Sequence, residues 1–297
     1  MVKRSHLIKP TGDIKPTSDL FIAALCSAPK NEPILRSLLN GTMTNIGQPP
    51  VVKATVLNPI NIQEFPVDKQ VRLDVLVEDE LGAMYDVEVQ TYPDKELFER
   101  MLLYWAVTYV SQIHRGDAYG VLRPVRSIVI TEFPVFPELK QLHAVFEARA
   151  RENPKVLFSN HFQMHILRLG DLLKGNLSEL DDLCLPLQRW LQFFGFGSTW
   201  EKSKMSTMLQ DVPEVQAAYE AYRRFSADPV MREKIKAREQ FEIEQRLNRA
   251  YAEAEGEAKG RSEEKIENAR NLKRLGVPTA TIAEGTGLSL SEVERLG

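Results

Sequence analysis

Apolar and polar residues alternate through VRLDVLV (71–77) and again through MYDVEVQ (84–90), and the four residues DELG (79–82) lie between the two runs. A period of two marks strands with one covered face, and two such runs around a short turn carrying a glycine predict a β-hairpin over Val71–Thr91. Val71, Leu73, Val75 and Val77 share one face of the first strand, and Asp74 projects from the other. In the second strand Tyr85, Val87 and Val89 share a face, so Asp86, Glu88 and Gln90 project together from the opposite one. Folding the runs about the turn sets Asp74 opposite Glu88 to within one residue of register, with cross-strand Cα atoms roughly 5 Å apart.

The remaining pattern surrounds this hairpin with helices and further strands. Thr17 or Ser18 is placed to cap a helix over Leu20, Phe21, Ala24 and Leu25, and a break at Ala28-Pro29-Lys30 separates it from a second helix over Ile34–Leu39. Val51–Leu57 and Ile60–Phe65 read as strand pieces leading into the hairpin. Pro93-Asp94 opens a helix running to about His114, in which Arg100, Tyr104, Thr108 and Ser111 form a polar stripe beside Leu97, Met101, Trp105 and Tyr109. RSIVIT (126–131) has the length and composition of a buried strand, and Leu142–Ala148 and Phe162–Leu169 add two alternating runs. From about Asp171 the β-branched runs stop. Trp190–Phe194 reads as a helix packed on the core, and Val212–Asn271 is charge-rich and helical, either a solvated helix or an oligomerising stalk. ARNLKRLGVPTATIAEGTGLSLSEVERL (269–296) reads as three short helices turning at Gly276 and Gly287, the last capped by Ser289 or Ser291, in the order of a helix-turn-helix.

Composition narrows the class. With 43% hydrophobic and 27% charged residues in 297, the chain is an ordinary globular protein. A net charge of −3 excludes a globally basic nucleic-acid coat, so any DNA contact is local. Cys26 and Cys184, the two cysteines, suggest neither a disulfide framework nor a Cys-based zinc site, which fits a reducing cytoplasm, and no apolar run approaches the length of a membrane span. His161 and His165 have the four-residue spacing of a helical zinc motif. On a strand that spacing separates them by roughly 13 Å, so they read as sheet residues.

The hairpin carries the candidate chemistry. Two carboxylates and an amide converging on one face repel and lose hydration unless a cation joins them. Asp and Glu oxygens without His or Cys partners favour a hard ion such as Mg²⁺. The alternative is a solvated sheet face bearing ordinary charges, and Asp86 reads as one of these. Asp19 and Glu32 read as a cap and a solvated helix position rather than as further ligands. Arg100 faces back towards the acidic side of the hairpin, either to meet a phosphate or to pair with an acid, Glu96 among them.

Asp74, a hairpin, then Glu88-Val89-Gln90 resembles the PD-(D/E)xK nuclease signature in the form carried by the Rpn recombination-promoting nucleases and putative transposases. Lys15-Pro16-Thr17-Ser18-Asp19-Leu20-Phe21, the helix with Arg100, Tyr104-Trp105 and Gln112, the segment Leu122–Ile130 and the charged tail resemble that family in the same order. Gln90 stands where the superfamily usually has lysine. The resemblance implies an α/β fold, a restriction-endonuclease-like mixed sheet flanked by helices, over residues 1–195. A charged helical region (196–265) and a small helix-turn-helix-like segment (266–297) are expected to follow, making the C-terminal region α-helical. It implies Mg²⁺-dependent endonucleolytic hydrolysis of DNA, associated with recombination. Asp74, Glu88 and the Val89 carbonyl would hold the metal, Gln90 would orient water, Arg100 would bind substrate, and the C-terminal helices are candidates for homo-oligomerisation. The alternative is a nuclease fold that no longer cleaves and serves as a DNA-binding or regulatory protein.

Overall fold

The computed structural model describes residues 14–59, 75–175 and 177–296. Asp74, the expected strand at Ile60–Phe65 and most of the N-terminal arm lie outside the described residues. Two compact units are present, one ending at Lys236 and one beginning at Ala237.

In the first unit α1 (Asp19–Ser27) and α2 (Glu32–Thr44) precede β1 (Ala54–Val56) and the hairpin strands β2 (Val75–Asp79) and β3 (Met84–Gln90). α3 (Leu97–Val110) crosses to β4 (Val125–Thr131), and β5 (His143–Glu147) and β6 (Phe162–Arg168) complete the sheet. Among the described residues its order is β1-β2-β3-β4-β6-β5, with β3, β4 and β6 parallel and both edges antiparallel. β4 lies inside the sheet, and Val125, Ile128, Val129 and Ile130 are buried, as a strand covered on both faces requires. The short α4 (Leu169–Leu172), then α5 (Leu185–Phe196), α6 (Lys202–Leu209) and α7 (Pro213–Ala227), follow, and α8 (Pro229–Arg274) runs on into the second unit.

One face of the sheet, with Val75, Val77, Tyr85, Val87, Ile128, Ile130 and Leu167, packs against α1, α2, α5 and α7 in the main core. The other, with Val129, Met164 and Ile166, packs against Leu97 and Met101 of α3. The hairpin turn forms as the pattern predicts. Asp79 Oδ1 accepts the N–H groups of Leu81 and Ala83, both at 2.9 Å, and Gly82 takes φ 80°, which a side chain would strain.

Within the main core, Asn45 Oδ1 accepts the Cys184 N–H at 2.7 Å, which turns the Asn45 amide nitrogen towards His143 Nδ1 at 3.0 Å. His143 Nδ1 is therefore an acceptor, and its Nε2–H donates to His165 Nδ1 at 3.0 Å. The proton of neutral His165 then sits on Nε2. Burial pushes His143 down to about 4, and burial together with His143 and Arg126 pushes His165 well below the ordinary histidine value. Both histidines are buried residues of the core. Burial also raises the Cys26 thiol to about 12, leaving it protonated.

The second unit closes the end of α8, α9 (Thr279–Thr286) and α10 (Leu290–Arg295) around Ala269, Ile282 and Val293. Gly287 takes φ 69° at the turn, and Ser289 forms a capping box with Glu292. Lys273 Nζ donates to the carbonyls of Val293, Glu294 and Leu296, neutralising the C-terminal end of α10. Residues 247–265 of α8 are exposed throughout.

The depressed histidines couple stability to pH. The unfolded chain protonates them near 6.5 and the folded chain resists, so stability is full above 6.5 and falls as pH drops towards about 4. His143 alone should cost about 2 kcal/mol between pH 7 and pH 5. Urea unfolding should show at least that loss in the parent and a much smaller one in His143→Leu/His165→Leu. An equal loss in the double variant would place the acid sensitivity elsewhere.

Candidate active site

β3 is the strand on which the site is built. Its inward face holds Tyr85, Val87 and Val89 against the main core, so Asp86, Glu88 and Gln90 turn towards α3. The register pairs Glu88 with Val129, and Val129 packs with Leu97 and Met101 of α3. Arg100 precedes Met101 on that helix, and its guanidinium reaches the strand. Nη2 donates to Gln90 Oε1 at 2.8 Å and lies 3.7 Å from Glu88 Oε1, and Nη1 pairs with Asp94. The Gln90 amide nitrogen in turn donates to Glu88 Oε1. Three of the expected site residues thus converge, and the ion pairs of Arg100 are with Glu88 and Asp94 rather than with Glu96.

Glu88 has 11% of its side chain exposed and Arg100 has 28%, so the pair is partly shielded from solvent. The role expected of Val89 is one of its backbone. The Gln90 carbonyl accepts the Glu132 N–H at 2.9 Å on the β4 side. Carbonyls alternate in direction along a strand, so that of Val89 is directed to the β2 side. The described part of β2 ends at Val75, which pairs with Val87, and the other expected carboxylate ligand, Asp74, lies outside the described residues.

Asp86 departs from the expectation of an ordinary surface charge. It is 4% exposed, in the row that pairs with Ser127 of β4 beneath α3. Alternation identifies the face on which a side chain lies but not whether a helix covers that face.

Two residues that sequence reasoning passed over join the site. Asp94 reads as a helix opener, and its Oδ1 does accept the Glu96 N–H at 3.0 Å ahead of α3, which begins at Leu97. Its Oδ2 nevertheless holds Arg100. Glu132 follows β4 and comes beside Gln90 only through the parallel pairing. Its side chain, 6% exposed, accepts from Lys15 Nζ at 2.6 Å and from Thr17. The Lys15–Phe21 segment therefore ties the strand ends to the helical layer, with Phe21 edge-on to Phe193, Tyr222 and Phe225.

The residues of α3 beyond Arg100 position the helix. Trp105 donates to the Val125 carbonyl at 3.1 Å and stacks on Tyr109, whose hydroxyl meets His161 Nδ1 at 2.9 Å. The Gln112 amide clamps Arg123, donating to its carbonyl at 3.2 Å and accepting its N–H at 2.8 Å. His161 and His165 thus serve different partners.

Among the described residues no group of three or more His, Cys, Asp or Glu is placed to hold a metal ion. Glu88, beside the Gln90 amide, offers carboxylate oxygen of the kind that suits a hard divalent cation. The guanidinium drawn onto Glu88 and Gln90 marks the spot as one that positive charge stabilises. The Glu88 carboxylate fits such an ion. No helix among the described residues is long and apolar enough to cross a membrane.

The sequence matches the family described as PD-(D/E)XK nuclease family transposase over residues 16–252. No curated protein and no solved structure matches the chain. The family match takes in the whole sheet, α3 with Arg100 and the Lys15–Phe21 contacts from Pro16 onward, and the mixed sheet with flanking helices agrees with the nuclease fold. The chain belongs to the PD-(D/E)XK nuclease family transposases.

Proposed function

We infer that this nuclease-family chain hydrolyses DNA phosphodiester bonds with a divalent cation, Mg²⁺ in the first instance, and acts in DNA recombination. The convergence of Glu88, Gln90 and Arg100 at the end of β3 carries the reading. Asp74 and Glu88 would hold the ion together with the Val89 carbonyl. The alternation of apolar and polar residues through VRLDVLV and MYDVEVQ supports this ligand pair. When bound, the ion supplies activation of water at neutral pH and neutralises charge on the phosphoryl group. Gln90 is an amide and cannot take a proton near neutrality, so its part is to orient water by hydrogen bonding. Arg100 would pair with a phosphate oxygen of the substrate.

Two predictions follow from these roles. Asp74→Asn and Glu88→Gln should fold within about 1 kcal/mol of the parent in EDTA, since each removes one charge from a partly shielded cluster. The parent should gain about 3 kcal/mol at a hundredfold excess of Mg²⁺ over its dissociation constant, and neither variant should gain measurably. Plasmid nicking should fall by at least about a hundredfold in both. Acid variants that still gain stability from Mg²⁺ and still nick DNA would reduce the hairpin to scaffold. A parent that binds DNA but neither Mg²⁺ nor cleaves would indicate a retired nuclease fold.

The second prediction concerns the amide. Gln90→Leu removes both the donor to Glu88 and the acceptor for Arg100, so nicking should drop by about tenfold or more with the Mg²⁺ response largely kept. Gln90→Lys supplies the residue usual in the superfamily and should keep part of the activity. Equal activity in the leucine variant and the parent would remove Gln90 from the mechanism.

A further inference from the structure

Arg100 stands in two sets of contacts at once. Nη2 serves the strand, Glu88 and Gln90, whereas Nη1 serves Asp94 on the β3–α3 connection. Asp94 is itself held in place, because its other oxygen accepts the Glu96 N–H that leads into α3. One guanidinium thus bridges an acid on the strand and an acid off it, and its two nitrogens allow either contact to be kept when the other is lost.

We propose that Arg100 is the resident counter-ion of Glu88, that a divalent cation displaces it from Glu88, and that Asp94 retains it beside the site when this happens. The inference rests on Glu88 being a metal ligand, as proposed above. Glu88 has 11% of its side chain exposed, and Arg100 contributes to offsetting its charge while the cation is away. Two positive charges on one carboxylate oxygen repel, so the cation and the guanidinium exclude each other there. A guanidinium released from Glu88 but kept by Asp94 remains within a side chain's length of the site, where it can meet a phosphate. Asp94 is in this sense a positioning residue that acts through Arg100.

Mg²⁺ titrations followed by thermal unfolding of the full chain test this, beginning from EDTA. Arg100→Gln keeps a hydrogen-bonding side chain and removes the charge. It should lower the melting temperature in EDTA, recover the parent's value at saturating Mg²⁺, and reach half-response at about fivefold less Mg²⁺. Arg100→Lys, which keeps the charge, should respond between the two. Asp94→Asn should need about fivefold more Mg²⁺ than the parent, and in the Arg100→Gln background the same change should shift the midpoint less than twofold. The double variant separates an action through Arg100 from a general loss of negative charge, which would add fully in either background. A deficit in Arg100→Gln that persists at saturating Mg²⁺ would show that the ion pair is retained with metal bound and overturn the displacement. Additive shifts would overturn the role of Asp94. A parent without any Mg²⁺ response would instead overturn the metal reading of the site, and this inference with it.

Discussion

The alternation of β3 is the constraint on which the first unit depends. β3 is paired on both edges, antiparallel to β2 and parallel to β4, so its side chains have only two directions available. Tyr85, Val87 and Val89 go to the main core, and Asp86, Glu88 and Gln90 are committed to the face under α3. A slip of one residue would bury Glu88 among the residues of the main core and remove the valines from it, a cost that specifies the register strongly. Parallel pairing with β4 then brings Glu132 beside Gln90, and the β3–α3–β4 crossover brings Arg100 over Glu88.

A second polar row shows the same constraint at the opposite end of β3. Tyr85, Arg126, Gln163 and Glu147 lie in register across four strands, and Arg126 links Tyr85 at 3.1 Å to Gln163 at 3.0 Å. Tyr85 donates to Asp79 at 3.0 Å, and Gln163 donates to Glu147 at 2.8 Å. Burial, opposed by Arg126 and reinforced by Asp79, keeps the Tyr85 phenol protonated. Each group in the row has its partner on the neighbouring strand, so the row closes the end of the sheet without needing an external ion. At the Glu88 end the strand's acid is instead met by a helix residue with a second partner of its own, so the two ends of β3 differ in how their charges are held.

What was legible in the sequence follows the range of the interactions. The hairpin, its Gly82 turn, the α1–α2 break and the Ser289 cap are decided by residues within a few positions of each other, and alternation or turn chemistry exposes them. Glu88 and Gln90 were legible for the same reason, and Arg100 because a helix soon after the strand has few other places to aim a guanidinium. Glu132 was not legible, because only the pairing of β3 with β4 makes it a neighbour of Gln90 and only the fold brings Lys15 and Thr17 to it. Asp94 announced its local role as a turn acceptor and concealed its contact with Arg100. The buried histidine pair was invisible because it depends on Asn45 and Cys184, which come from two helical segments packed over the sheet.

The amide at position 90 and the guanidinium at position 100 are best understood together. A lysine on β3 in place of Gln90 would bring a cation to the atom that now receives Arg100 at 2.8 Å, and the two would repel. With glutamine there, the positive charge comes from α3, and the amide joins it to Glu88 by accepting with its oxygen and donating with its nitrogen. A charge on a helix side chain with a second acidic partner is free to move in a way that a charge on a strand paired on both edges is not. With glutamine at position 90, the cation beside Glu88 described here is thus one carried by an adjustable helix side chain.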